Sequence, residues 1–255
     1  MWSRPDLKMR GKSAFYRNYW PAVLAGLILS IATGLTGGNS ARRVITDNNR
    51  GSDYPNYYSH GHQSLVTGLF ALAFTLTMLV IALIIVILKV FVGNLLLVGG
   101  KRFFMENREY NSRVSSVLYG FKNGFYGNIV LTMFLRDLYT FLWSLLFIIP
   151  GIVKAYEYRM IPYILSENPG MDRRRAFEIS RQMMNGQKMD TFIMDLSFIG
   201  WSLLSAITCG LFGVFYTQPY IEASFAELYA VFRVHAFHTG SLTTSELPGF
   251  GGAYY

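Results

Sequence analysis

Seven ionisable residues interrupt stretches of sequence that are otherwise apolar. They are Arg136, Asp137, Lys154, Glu157, Arg159, Glu222 and Glu227. Charges within a membrane-spanning segment are costly to bury, so they often mark an ion or proton pathway. They can also neutralise one another and fix how two helices pack. We favour this structural role for the set, and we expect Asp137 to pair with Arg159 across a turn at Pro150-Gly151.

The two glutamates of the set near the C-terminus are open to two interpretations. Glu222 and Glu227 could hold a cation or a proton. They could instead lie at an interface or pair with a basic neighbour such as Arg233. We favour the second interpretation, because opposite charges that meet inside a helical bundle neutralise each other.

A second group of potential ligands lies in the loop Gly38–Gln63, where His60 and His62 follow Asp53. A His-x-His pair can bind a metal ion, but no thiol or further carboxylate falls at a useful spacing. Tyr54, Tyr57 and Tyr58 surround these residues, and an aromatic belt at a membrane interface explains the group better. We therefore predict no metal site.

The sequence has no recognisable catalytic motif. Zinc-hydrolase, serine-hydrolase and phosphate-loop patterns are absent, and Cys209 is the only cysteine. We predict that the protein is not an enzyme and binds no cofactor.

Composition points to a membrane protein. Hydrophobic residues make up 52% of the chain and charged residues only 15%, against about 25% charged in a typical soluble domain. The net charge of +8 is better explained by contact with anionic lipids of the inner leaflet than by nucleic acid. The lipid bilayer is thus the predicted partner, and the sequence does not identify a membrane-protein partner.

Apolar segments predict an all-α transmembrane bundle with about six spans. Four segments are strongly apolar, at 18–41, 64–98, 125–149 and 191–212, and two are more polar, at 151–166 and 217–233. If all six cross, nearly all Lys and Arg residues fall on the cytoplasmic side, as the positive-inside rule requires. The N- and C-termini are then both cytoplasmic.

A repeated pattern groups the spans into hairpins. Trp143-Ser-Leu-Leu146 recurs as Trp201-Ser-Leu-Leu204, and each copy follows an Asn-Gly pair and precedes a Pro-Tyr pair. We predict one domain, 1–238, with hairpins at about 18–98, 123–166 and 189–234. The third hairpin should turn at Gly210–Gly213.

Two further segments are predicted, one between the second and third hairpins and one after the third. Between Asp172 and Asn185 the pattern is that of an amphipathic helix with Ala176, Phe177, Ser180, Met183 and Met184 on one face. Such a helix should lie along the inner leaflet. Residues 239–255 are Gly-rich and are predicted to form a flexible cytoplasmic tail.

Several motifs resemble an uncharacterised family of Gram-positive polytopic membrane proteins, domain-of-unknown-function family nine-seventy-five. They are Leu146-Phe-Ile-Ile-Pro-Gly-Ile152, the run Tyr156–Tyr163, Arg175-Ala176 to Ser180, Met183-Met-Asn-Gly186 and Leu196-Ser-Phe-Ile-Gly-Trp201. A more distant likeness is to the membrane domain beside some glycerophosphodiester phosphodiesterases. The resemblance implies a helical bundle in a bacterial plasma membrane, without an established activity.

Two functions are consistent with these features. The first is a non-catalytic membrane protein that modulates an envelope process such as export, peptide resistance or lipid handling. The alternative is a small solute or ion transporter or channel lined by the polar arms 151–166 and 217–233. Three hairpins without an enzymatic motif, the short external turns and the Arg-bearing helices expected at the inner leaflet favour the first.

Overall fold

A computed structural model describes the backbone of residues 3–37, 61–122 and 124–249, and side chains within 3–28, 68–122 and 124–249. The described residues form helices and no strand, which confirms the all-α prediction. The helices are α1 (Arg4–Arg17), α2 (Tyr19–Gly37), α3 (Gly61–Leu88), α4 (Asn94–Glu109), α5 (Tyr119–Lys122), α6 (Tyr126–Leu146), α7 (Ile148–Glu157), α8 (Ile161–Glu167), α9 (Arg173–Met183), α10 (Lys188–Leu196), α11 (Ile199–Ile207) and α12 (Gln218–His238). The loop residues Asp53, Tyr54, Tyr57, Tyr58, His60 and His62 lie outside the described side chains.

The core forms where α4, α8 and α12 meet. Helix α4 packs against both α8 and α12, and α1, α2 and α9 add contacts around them. Tyr163 of α8 stacks on Tyr229 of α12 with ring centroids 5.0 Å apart and an angle of 15° between the rings. Both side chains are almost fully buried, and offset aromatic pairs of this kind add stability beyond their buried area.

Within the described part of the chain, three helical stretches are long and apolar enough to cross a membrane. They are Gly68–Glu109, Tyr126–Leu146 and Lys188–Ile207. Tyr19–Ile28 is a shorter apolar stretch. The large apolar side chains of α3 are exposed from Leu69 to Leu88, so this helix presents an apolar surface on all sides. That is the behaviour of a helix surrounded by lipid.

The break between α6 and α7 differs from the prediction. The turn was expected at Pro150-Gly151, but α6 ends at Leu146 and the chain turns at Phe147, whose backbone is extended (φ −154°, ψ 140°). Pro150 lies in the first turn of α7, where its missing N–H costs no hydrogen bond. α7 folds back on α6, and Gly151 permits the contact because a Cβ there would overlap Ser144.

The turn between α11 and α12 lies where the sequence predicts it. Cys209 and Gly210 both have positive φ, 52° and 86°, and Gly is the residue that adopts this conformation without strain. Beyond the turn, a Cβ on Gly213 would overlap Ser205 Oγ. The two turns therefore share one feature, a glycine of the returning helix seated on a serine of the preceding one.

The amphipathic helix α9 forms as predicted but is covered differently. The Asp172 carboxylate accepts a hydrogen bond from the Arg175 N–H and caps the helix. Phe177 packs against the rings of Tyr139 and Tyr158, with centroids 5.6 and 5.0 Å away. The apolar face thus contacts α6 and the segment after α7 and is covered by protein. The location of the helix along the inner leaflet stays a prediction. Packing against protein buries that face as effectively as lipid would.

Residues 239–249 are ordered against the helical body, in contrast to the flexible tail predicted for 239–255. Leu242 and Leu247 are buried. Arg175 of α9 donates to the Glu246 carboxylate at 2.6 Å and to the Ser241 carbonyl at 2.9 Å. Residues 250–255 lie outside the described part. Two apolar anchors and one ion pair therefore dock the segment that follows α12.

The docked segment should respond to acid. The hydrogen bond from Arg175 holds the pKa of the Glu246 carboxyl at about 2, below its ordinary 4.5. A lowered pKa contributes stability above pH 4.5 that is lost as the pH falls through about 2. We expect Glu246→Gln to lower the melting temperature at pH 5 to 7, and the difference from wild type to shrink towards pH 2. A difference that is constant with pH would contradict this role of Glu246.

Candidate functional site

The seven candidate charges lie in several clusters, and each of them has an ion-pair partner. The largest cluster, which we call the Glu157 cluster, surrounds the C-terminal residue of α7. Lys154 and Arg181 approach Glu157 Oε1 at 2.8 and 2.9 Å, and Lys188 approaches Oε2 at 2.8 Å. Glu157 itself is buried. One carboxylate thus joins α7 to the end of α9 and the start of α10.

The backbone around Glu157 is held by Ser180. Its hydroxyl donates to the Glu157 carbonyl at 2.7 Å and accepts from the Met160 N–H at 3.3 Å. The chain bends here between α7 and α8, which leaves helix-end groups without intrahelical partners. A buried serine of α9 satisfies both groups, so the bend and the position of Glu157 depend on α9.

Arg159 lies within this bend and pairs with Asp195 of α10. Its two terminal nitrogens donate to the two Asp195 oxygens at 2.6 and 2.9 Å, the two-point geometry that gives strong and oriented ion pairs. Tyr156 donates to the same carboxylate at 2.7 Å. The Arg159 guanidinium also lies 4.1 Å from the centre of the Phe225 ring.

The predicted Asp137–Arg159 pair is therefore wrong. Asp137 accepts from its neighbour Arg136 at 2.6 Å, and its other oxygen lies 3.6 Å from Lys89 Nζ. The prediction used depth along the two arms of one turn. It could not include α10, which brings Asp195 to Arg159 and leaves Asp137 to a lysine that follows α3.

The two C-terminal glutamates pair with α4. Lys101 lies 2.5 Å from Glu222, and Arg108 lies 3.0 Å from Glu227. Lys101 also lies over the Tyr163 ring at 4.9 Å. Both glutamates are thus in ion pairs, as predicted, although their partners belong to α4 and not to the Arg233 neighbourhood.

Arg233 has another partner that sequence reasoning missed. Glu167, at the end of α8, accepts from Arg233 at 2.9 Å, from the Tyr229 hydroxyl at 2.9 Å and from the Gly249 N–H at 2.7 Å. Its side chain has no exposure and that of Arg233 only 5%. Glu167 had no obvious signal in the sequence. Asp195 did, because it interrupts an apolar segment as Asp137 does.

Residues 147–234 match the model of the family described as protein of unknown function (DUF975). This is the family that the sequence motifs resemble, and the match includes α7 to α11 and most of α12. It covers the Glu157 cluster and the Arg159–Asp195 pair. No match was found among curated proteins or among solved structures.

Ion pairing is the interaction that the structure shows at these positions. All seven candidate charges contact an opposite charge in the structure. The arrangement is that of charges that fix helix positions. The Glu157 cluster differs from the others because three cations share one carboxylate.

The Arg159–Asp195 pair makes a specific prediction. Arg159→Met should reduce the free energy of unfolding by about 1.5–3 kcal/mol, the range for hydrogen bonds to charged groups. Adding Asp195→Leu should cost much less than its single effect, because the partner charge is already absent. The amount of folded protein after heating in detergent measures this coupling.

A matched cycle with Asp137→Leu serves as the control. Its effect should add to that of Arg159→Met, since Asp137 pairs with Arg136 and Lys89. Coupling in the Asp137 cycle and additivity in the Asp195 cycle would reverse the assignment of partners.

Proposed function

We propose that the protein is an integral protein of a bacterial plasma membrane with both termini in the cytoplasm. We propose further that it carries out no chemistry and acts as an accessory or modulatory component of an envelope process. Exposed apolar helices support the location. The pairing of every candidate charge supports a structural use of the polar arms.

The surroundings of the helices support a specific insertion depth for the second hairpin, α6–α7. Helix α9 lies beside it at Tyr139 and Tyr158, and the outer face of α9 exposes Arg174, Glu178 and Arg181. Because charges do not face hydrocarbon, this level belongs to water or headgroups. From Tyr139 to Phe147 at the turn is about eight residues, so the turn lies roughly 12 Å beyond this level along the axis of α6.

The third hairpin, α11 and the start of α12, has the same arrangement with α1. Lys8 donates to the Ser197 carbonyl at 3.4 Å and lies 4.3 Å from the centre of the Phe198 ring. Beyond this contact, the nine residues of α11 span roughly 14 Å.

The part of each hairpin beyond this level is called here the second or the third tip, after its hairpin. Each tip therefore extends about half the ~30 Å thickness of the hydrocarbon core. Large exposed apolar side chains cover the second tip from Phe141 to Val153 and the third from Ile199 to Phe215. The 28 residues of α3 correspond to roughly 42 Å, enough to cross. We propose that α2 and α3 cross the membrane and that the other two hairpins enter from the cytoplasm and end within the bilayer. Six full crossings, predicted from the apolar segments and the positive-inside rule, are the competing topology.

Labelling with an impermeant thiol reagent distinguishes the two topologies. Cys209 is exposed at the turn of the third hairpin, which in the proposed topology lies within the bilayer. We therefore expect it to stay unlabelled in intact cells and to react after solubilisation in detergent. In a Cys209→Ser background, Ser52→Cys should react in intact cells and Gln182→Cys should not.

Each outcome decides a separate part of the topology. Reaction of Cys209 in intact cells would show that the third hairpin crosses, in favour of six spans. Reaction of Gln182→Cys would place α9 outside and would overturn the shared cytoplasmic orientation. Gln182 is an exposed position of α9, so failure to react in broken cells would indicate poor folding of that variant.

The accessory role is supported over the transporter by the contacts of the polar arms. Glu157, Arg159, Glu222 and Glu227 point towards partners on α9, α10 and α4. A solute pathway would require such groups to face water and exchange partners. Here they hold neighbouring helices together.

Flux measurements test this choice. We expect the full-length protein, reconstituted in liposomes, to give no more ion or proton flux than protein-free vesicles. Glu222→Gln should leave flux at that background and should lower only the thermal stability. Protein-dependent flux that Glu222→Gln abolishes, with folding retained, would instead support the channel or transporter function.

A further inference from the structure

The Glu157 cluster carries an excess of positive charge. Lys154, Arg181 and Lys188 surround a single carboxylate, so the formal charge of the group is about +2 at neutral pH. Asp190 pairs with Arg4 at 3.6 Å, and Glu178 shares Arg175 with Glu246. Within the described part of the chain, neither carboxylate is paired with a cation of the cluster. An anion bound here would be attracted by charge that the protein leaves unbalanced.

The cations of the cluster retain donors for such an anion. Arg181 uses its Nε for Glu157, and its two terminal nitrogens donate to no residue in the described part of the chain. Its side chain is 61% exposed, while Glu157 is 6% exposed. The carboxylate therefore sits behind the cations and orients them, and the guanidinium faces outward. A guanidinium in this position matches the oxygens of a phosphoryl group.

Apolar surface adjoins the cluster on two helices. Val153, next to Lys154, is exposed on α7, and Met189, next to Lys188, is 67% exposed on α10. Lys154 lies 5.6 Å from the centre of the Trp143 ring, which is itself part of the apolar second tip. Cations beside an aromatic and aliphatic surface fit a ligand with an anionic head and an apolar body.

We propose that the Glu157 cluster binds the phosphoryl headgroup of an anionic phospholipid of the inner leaflet. Arg181 and Lys188 contact the phosphate oxygens, and the acyl chains lie along the second tip towards Phe147. This proposal rests on the membrane insertion proposed above. Glu157 keeps the three cations in place before the lipid arrives, which reduces the entropy lost on binding.

Native mass spectrometry of the full-length protein in a mild detergent tests the site with phosphatidylglycerol as the probe. Arg181→Gln should weaken binding about tenfold or more, as expected for loss of a charge-assisted contact. Arg174→Gln is the matched control, since it removes the same charge from an exposed position of the same helix. It should change binding less than about twofold. Equal losses in both variants would show non-specific attraction and would overturn the proposal.

Inorganic phosphate identifies the source of the phosphoryl group. At millimolar concentration it should not displace phosphatidylglycerol, because it gains nothing from the apolar tip. Displacement of phosphatidylglycerol by millimolar phosphate would assign the site to a soluble phosphate compound and overturn the lipid assignment.

A second variant covers loss of folding. If Arg181→Gln does not elute as folded protein, Lys188→Gln replaces it, with the same expected loss of binding. Retention of full affinity by a folded Lys188→Gln would then overturn the proposal. Lipid binding in detergent does not depend on how far the hairpins reach, so a failure here and a failure of the labelling experiment remain separate results.

Discussion

The buried carboxylate of Glu167 determines how the rest of the helical body is arranged. It ends α8, it accepts from Arg233 and Tyr229 of α12, and it accepts from the backbone of Gly249 after that helix. A charge without solvent exposure is tolerated only when it is paired and hydrogen bonded. Three separate parts of the chain must therefore meet at one point before this charge is stable. Tyr229 is also the ring that stacks on Tyr163, so the aromatic pair and the buried carboxylate join the same two helices.

Amphipathic helices have a related role in this protein. Helix α9 has the alternation of charged and apolar faces that is typical of a helix on a membrane surface, and the sequence predicts that face correctly. What the sequence does not contain is the identity of the covering surface, because lipid and a neighbouring helix are equally apolar. Phe177 fits between two tyrosine rings, so the apolar face of the helix packs on the protein while its charged face stays exposed. The same limit applies to residues 239–249, where glycine content concealed the anchors Leu242 and Leu247.

The fold class and the set of charged positions were predictable, since hydropathy and isolated charges are local properties of the sequence. The pairs were not, because they join helices distant in the chain. Arg159 was predicted to meet Asp137 on the adjacent helix and instead meets Asp195, which comes 36 positions later. Arg181 and Lys188 counted in the sequence only as positive charges near the membrane. Their approach to Glu157 required the bend that Ser180 holds between α7 and α8.

The long sequence separation of the Glu167–Arg233 pair has a consequence for synthesis of the protein. Arg233 lies 66 positions after Glu167, and at about 5–20 residues per second a ribosome needs roughly 3–13 s to add them. During that interval the end of α8 carries a carboxylate whose eventual partner does not yet exist. The nascent chain must keep this residue in contact with water or with the insertion machinery until α12 emerges. Closure of the helical body thus waits until α12 has been made, and a chain that stops before Arg233 leaves α8 with a charge that it cannot bury.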